Sequence, residues 1–241
     1  MTKRPKNRYL NKGVGSYTYL LINIATISIP LVASFFPAYP FARKWITFFK
    51  ACTPVAIIFI LWDIYFTKIG VWGFNDTYLS GYYLANLPIE EILFFFCIPF
   101  SCTFTYFALG YFKRTHLRSK KWNGTGLVLG IVCLAIGVLT WDRIYSGTAF
   151  TSAGLFLLVQ YAYRWDGFPR FLLSYGLCLL PFYLVNGLLT GAFIQEQVVW
   201  YNDFENLGIR VFTIPLDDHF YSLSLQGFIV FLFDRNSGKQ Q

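Results

Sequence analysis

Seven predominantly apolar stretches divide the chain, near Tyr17–Phe36, Trp45–Phe66, Leu87–Phe112, Gly124–Thr140, Ala149–Tyr163, Phe171–Phe193 and Ile214–Phe233. A helix that crosses a bilayer needs roughly 20 such residues. The pattern therefore predicts an all-α, polytopic membrane bundle of about seven transmembrane helices. The fourth and fifth stretches are short and separated only by Trp141 to Gly147, so a single re-entrant unit is the alternative there.

The polar residues between the stretches carry a second pattern. Asn75, Asp76, Gly81, Pro88, Glu90, Glu91 and Phe94 return, at one constant offset, as Asn202, Asp203, Gly208, Pro215, Asp217, Asp218 and Tyr221. Internal repetition reports duplicated structure. A duplication serving packing alone would keep apolar positions, whereas here amides, carboxylates, glycines and prolines are kept. Each acid pair runs directly into an apolar stretch, and ionisable groups at hydrocarbon are costly enough to be read first as functional.

Composition agrees with a membrane protein. Hydrophobic residues make up 56% and charged residues 13%, about half the charge of an ordinary soluble domain. The net charge of +8 raises the question of nucleic acid. Its basic residues, however, cluster beside apolar stretches: Lys3, Arg4, Lys6, Arg8 and Lys12 before the first, Lys113, Arg114, Arg118, Lys120 and Lys121 after the third. Lipid headgroups and topology explain that placement, and no nucleic-acid partner is expected. The five cysteines lie within apolar stretches with no C-x-x-C pair, so neither a structural metal nor a disulfide framework is expected. The first stretch is too long for a secretory signal and is read as a retained helix.

Loop charge adds orientation. Basic residues after the first, third and fifth stretches and in the tail, against only Lys68, Arg143 and Arg210 in the opposite loops, give the positive-inside pattern with an outside amino terminus. Under either orientation the second, fourth and sixth loops share one face, so both acidic motifs do too. Three spans per copy would invert the second copy, and one extra span restores it. The expected organisation is a first three-helix repeat over 1–122, a linker helix over 123–145 and a second three-helix repeat over 146–241, related by a pseudo-two-fold axis along the membrane normal.

Pro88 and Pro215 suit a helix's first turn, where the dipole also favours acids; paired acids at such a point are therefore compatible with a purely structural role. Chemistry gives a further reason for pairing. Loss of water and a neighbouring carboxylate both favour the neutral acid, so one member of a pair can donate a proton while the other accepts. Consecutive helical side chains point about 100° apart, however, so one of each pair is expected to face any shared cavity.

With these motifs, the sequence Trp72-Gly-Phe-Asn-Asp76, Gly81, Pro88-Ile-Glu-Glu-Ile-Leu-Phe-Phe95 and its second copy through Ile214-Pro-Leu-Asp-Asp218 resembles the small integral-membrane lycopene cyclases, in their fused form, over essentially the whole chain. The second copy departs by having Asp where the first has Glu. The resemblance implies carotenoid biosynthesis: a lycopene β-cyclase that protonates a terminal double bond of lycopene, closes the ring through a tertiary cation, and releases a proton to give a β-ionone end, towards γ-carotene and β-carotene. It assigns Glu90 and Asp217 as proton donors and Glu91 and Asp218 as their partners. Asn75, Asp76, Asn202 and Asp203 would support them by hydrogen bonding, with Arg210 and Asp63 as ion-pair candidates nearby and His219 as a relay candidate; His116 reads as solvated. Trp72, Phe94, Phe95 and Tyr221 are the substrate-binding candidates, because aromatic faces stabilise cations without attacking them.

The implied reaction needs no cofactor, and the chain has no G-x-G-x-x-G in a strand-turn-helix context for a flavin. Its partners would be lycopene and other linear carotenoids and membrane lipid, with self-association left open, in a multi-pass protein of the cytoplasmic membrane. One composite site is expected in place of two independent ones. The rival readings are a small-solute transporter, which parallel three-helix repeats also build, and an ε- or γ-ring cyclase. A retinal photoreceptor lacks its lysine in Ile214–Phe233, and a prenyltransferase would need spaced aspartates for Mg²⁺.

Overall fold

A computed structural model describes residues 14–112 and 119–238. The basic residues Lys3, Arg4, Lys6, Arg8, Lys12, Lys113, Arg114, Arg118 and Lys239, and His116, lie outside the described residues. Seven α-helices follow in order: α1 Thr18–Ala33, α2 Trp45–Ile69, α3 Ile89–Phe112, α4 Ser119–Leu139, α5 Ile144–Ala162, α6 Phe168–Leu189 and α7 Asp217–Gly238. The apolar stretches thus fold as an all-α bundle, and the fourth and fifth are two separate helices. Four helical stretches are long and apolar enough to cross a membrane: Gly15–Ala33, Phe41–Ile69, Ile89–Tyr111 and Phe168–Leu189. Helix α7 falls short because it carries Asp217, Asp218, Gln226, Asp234 and Arg235. It can carry them because α2, α3, α5 and α6 surround it, giving those groups protein partners in place of lipid.

The packing has the duplication's symmetry. Helices α1, α2 and α3 correspond by the sequence offset to α5, α6 and α7. As α1 packs on α3, so α5 packs on α7; as α2 packs on α7, so α6 packs on α3. Helices α3 and α7 meet at the centre. Around them a core of rings is centred on Phe41, whose centroid lies 5.2–6.3 Å from those of Phe48, Phe100, Phe104, Phe107 and Phe233.

The sequence pattern did not anticipate three two-stranded antiparallel ribbons, each too short to show alternation. Strand β1 (Trp72–Phe74) pairs with β4 (Val199–Tyr201), β2 (Tyr83–Leu84) with β3 (Leu87–Pro88), and β5 (Arg210–Val211) with β6 (Ile214–Pro215). The β2–β3 and β5–β6 ribbons are counterparts. The β1–β4 ribbon joins the two copies: Gly73 faces its own counterpart Trp200, so the pseudo-two-fold axis passes between them. The flanking hydrogen bonds are reciprocal, Asn75 N to Val198 O at 2.9 Å and Asn202 N to Val71 O at 2.8 Å. Both motif loops are thereby fixed on one face of the bundle.

Helix α4 lies between the two triads and packs chiefly on α5, with glycines letting the backbones approach closely. A Cβ at Gly154 would stand 2.8 Å from Leu134 Cγ and 2.9 Å from the backbone oxygen of Gly130. Since that oxygen cannot move without the helix, Gly154→Ala is expected to destabilise the protein by about 1–3 kcal/mol, the usual range for overpacking. Gly176, whose Cβ position is open, should by contrast tolerate Ala with neutral or improved stability. Thermal unfolding of the two purified variants in detergent checks the contrast; equal midpoints would refute it.

Candidate active site

The two copies build the same local device. After each Asn-Asp pair the chain turns through a glycine in the left-handed region, Gly81 at φ 84° and Gly208 at φ 70°, a conformation that explains why glycine recurs there. A tight return follows, closed by Ile89 N to Tyr82 O and Leu216 N to Ile209 O, both 2.9 Å. The prolines end the ribbons, each just ahead of its helix, and the acid pairs occupy the first turns of α3 and α7.

Within each pair the two carboxylates have different work. Glu90 and Asp217 reach back over the turn: Glu90 Oε1 accepts from Ser80 N at 2.7 Å, and Asp217 Oδ2 from the counterpart Leu207 N at 3.3 Å. Asp217 also accepts from Ser146 Oγ at 2.5 Å, and Asn23 Nδ2 donates to Glu90's backbone oxygen at 2.8 Å. Both side chains are fully buried. A hundred degrees around the helix, Glu91 and Asp218 face a shared cavity of about 80 Å³. Glu91 Oε2 accepts from Tyr19 O–H at 2.5 Å. Asp218 accepts from two phenols, Tyr145 at Oδ1 and Tyr201 at Oδ2, the latter at 3.0 Å.

A third carboxylate lines the same cavity. Asp63, buried in α2, accepts from Trp72 Nε1 at 2.5 Å and from Thr67 Oγ1 at 3.1 Å. The remaining wall is largely aromatic and includes Tyr19, Trp72, Phe94, Phe95, Tyr145 and Tyr221. Counterparts face each other across it: Glu91 and Asp218, Phe94 and Tyr221, Ile98 and Leu225, Phe74 and Tyr201. The cavity therefore sits on the pseudo-two-fold axis, with both copies contributing. Asp63 breaks the symmetry, since its counterpart is Thr190, also in the wall. Tyr201 lies on β4, outside the helices, where burial first and the Asp218 charge next push its phenol well above the ordinary value. It is thereby kept as a hydrogen-bond donor.

The supporting motif residues serve the loops. Asn75 Oδ1 accepts from Thr77 N at 3.0 Å, and Asn202 Oδ1 from the counterpart Phe204 N at 3.1 Å, side-chain turns typical of Asn. Asn75 Nδ2 donates to Glu196, and Asp76 accepts from Tyr83. Arg210 pairs with Asp203 at 2.5 Å, so Arg210 and Asp63 have separate partners. Partial burial raises Asp203, but hydrogen bonds from Asn206 and Arg210 and the guanidinium charge outweigh it and hold its carboxyl below the ordinary range. His219 turns towards α6, its Nε2 2.9 Å from Tyr183 Oη, and is not in the cavity wall.

All four aromatic candidates reach the cavity. Sequence reasoning undervalued Asp63, whose signal was a carboxylate inside the apolar run Trp45–Phe66. It missed Tyr19, Tyr145 and Tyr201, which have no motif around them. Chemically, the arrangement offers proton donors and acceptors at a small, ring-lined, water-poor space.

A family described as lycopene cyclase matches residues 16–109 and 142–235. The chain belongs to that family. Among curated proteins it is 27% identical over 161 residues to a bifunctional lycopene cyclase/phytoene synthase of Aspergillus oryzae, covering 60% of this chain and 26% of that protein. It is 26% identical over 107 residues to proteins of the same description from Phaeosphaeria nodorum and Pyrenophora tritici-repentis, covering 41% of this chain and 18% of each. The chain thus spans about a quarter or less of the length of these relatives. No solved structure matches it.

Asp217→Ala removes the acceptor for both Leu207 N and Ser146 Oγ. Leaving a buried donor unsatisfied costs about 1–3 kcal/mol, so the unfolding midpoint is expected to fall clearly, and less for Asp217→Asn, which keeps an acceptor oxygen. Asp203→Ala breaks a solvent-facing pair and should change stability by less than about 1 kcal/mol. A melting series that ranked Asp203→Ala as the more damaging would reverse this assignment.

Proposed function

We propose that this member of the lycopene cyclase family closes β-ionone rings on lycopene, towards γ-carotene and β-carotene, by redox-neutral acid–base catalysis. The observation that carries the reading is the convergence of three buried carboxylates and a ring-lined wall on one cavity to which both repeats contribute. The relatives' printed names and the family match support the substrate class. Long apolar helices support a multi-pass protein of the cell membrane, where a C40 hydrocarbon dissolves.

In the proposed reaction an acid adds a proton to the terminal double bond, leaving a tertiary cation. The next double bond attacks it, forming the ring's carbon–carbon bond and moving the positive charge into the ring. Loss of a ring proton to a base restores a double bond. One proton enters and one leaves, so no electron donor or acceptor is needed and no cofactor is assigned. Carboxylates and aromatic faces stabilise the passing cation without trapping it, and electrostatic stabilisation of this kind is strongest where water is excluded.

Hydrogen bonding distinguishes the two acids. Both oxygens of Asp218 accept phenolic hydrogens, which suits a carboxylate without a proton, so Asp218 is the proposed base. Glu91 accepts only at Oε2, leaving Oε1 to carry the proton, so Glu91 is the proposed acid. Asp63 is the proposed electrostatic stabiliser. The first acids, Glu90 and Asp217, hold the turns that aim their neighbours.

Glu91→Gln and Asp218→Asn are each expected to lower cyclisation by about 10²–10⁴-fold, the usual contribution of a positioned acid or base, with the fold retained. Glu90→Gln and Asp217→Asn, which keep an acceptor for the loop amide, should cost less activity. Pigment analysis in lycopene-accumulating cells reads both, and the same assay separates an enzyme from a transporter. In heavy water the ring should gain deuterium at the carbon protonated first; ring product without deuterium would exclude this mechanism.

A further inference from the structure

Beside the acid cavity lies a larger one of about 460 Å³, between α1, α3, α6 and α7. The two share Ile98, Phe182, Asn186, Ser222 and Gln226, so one leads into the other. At the junction Gln226 is 4% exposed, and its Oε1 has no partner among the described residues. The outer rim carries Ile29 of α1 and Leu184 of α6, 79% and 59% exposed on the bundle's apolar outer surface. The large cavity therefore runs from the lipid-facing surface to the carboxylates.

A duplicated fold should contain a second such cavity, between α5, α7, α2 and α3. Its side chains prevent that. The counterparts of Ile29, Ser101, Asn186 and Ser222 are Phe156, Phe228, Phe59 and Phe95. Phe156, Phe59 and Phe95 are buried, and the rings of Phe156 and Phe228 pack 5.5 Å apart. Where one half has serines, an amide and an exposed isoleucine, the other is filled with phenylalanine.

On the function proposed above, we infer that the substrate's polyene chain enters from the lipid between α1 and α6 and lies in this single cavity, with one end delivered to Glu91, Asp63 and Asp218. The counterpart gap between α5 and α2 takes no substrate. An apolar wall, a mouth on lipid and an inner end at the acids fit a long hydrocarbon with one reacting terminus. They do not fit a polar solute.

The test blocks each side in turn. Ser101→Phe installs the ring that the closed half already has, and Ala25→Trp, at an exposed position of α1 in the cavity wall, obstructs it without displacing buried packing. Ile57→Trp alters the exposed counterpart of Leu184 on the closed side. Each purified protein is checked for monodispersity and thermal unfolding, then assayed in proteoliposomes for ring formation from lycopene and for lycopene retained on purification. Both Ser101→Phe and Ala25→Trp should lower both readouts by about tenfold or more, since even a methylene-sized misfit in an apolar pocket costs 10–200-fold; Ile57→Trp should leave both unchanged. If Ser101→Phe does not fold, Ala25→Trp decides. A folded Ala25→Trp protein with wild-type retention and ring formation overturns the channel alone, as does an Ile57→Trp protein impaired as severely as Ala25→Trp. A wild-type protein that forms no ring from lycopene overturns the proposed function, and the channel with it.

Discussion

The reciprocal pairing of β1 with β4 is the constraint on which the site depends. Six residues and a pair of flanking amides tie each motif loop to the other across the axis. Because Gly73 meets its own counterpart, the two loops share one symmetry relation and cannot slide independently. A Cβ on Gly73 would stand 2.4 Å from the Trp200 indole, so glycine keeps the crossing close. With the loops locked, the first turns of α3 and α7 emerge side by side, and their second acids face one cavity. Without that tie each acid pair would be an ordinary helix start at a membrane surface.

Adjacent acids divide their labour for a geometric reason. Helical spacing sends consecutive side chains in directions about 100° apart, so a pair at a helix start has one member towards the preceding loop and one towards the bundle. Glu90 and Asp217 take the first direction and satisfy the amides of Ser80 and Leu207. The second acids are then aimed by a backbone already fixed. This explains why the motif retains two acids in each copy even though only one of each pair lines the cavity.

Much of the fold was legible in the sequence. Apolar stretches marked the helices, and the polar repeat with an odd helix between its copies required both motifs on one face. The acids and four aromatic residues of the site could be picked out by their place in that repeat. Which acid of each pair turns inward was not legible, since it depends on where the turn at Gly81 or Gly208 leaves the chain. Tyr19 and Tyr145 were illegible for another reason. They reach the acids from α1 and α5, distant in sequence, and nothing local marks a helical tyrosine as a donor. The strand pairing of Trp72–Phe74 was hidden because three residues show no period.

Duplication alone would make the two halves equivalent, yet a protonation followed by a deprotonation needs unlike groups. The structure differs between copies where the proposed chemistry requires it. Tyr19 donates to Glu91, while its counterpart Ser146 donates to Asp217. Asp218 is held by two phenols and Glu91 by one; Asp63 has Thr190 for a counterpart. The large cavity adjoins one side of the axis, and phenylalanines fill the other. Symmetry brings the acids together, and each departure from it gives them different partners. A pseudo-symmetric frame with an asymmetric lining is what an acid and a base acting in sequence on one end of a chain demand.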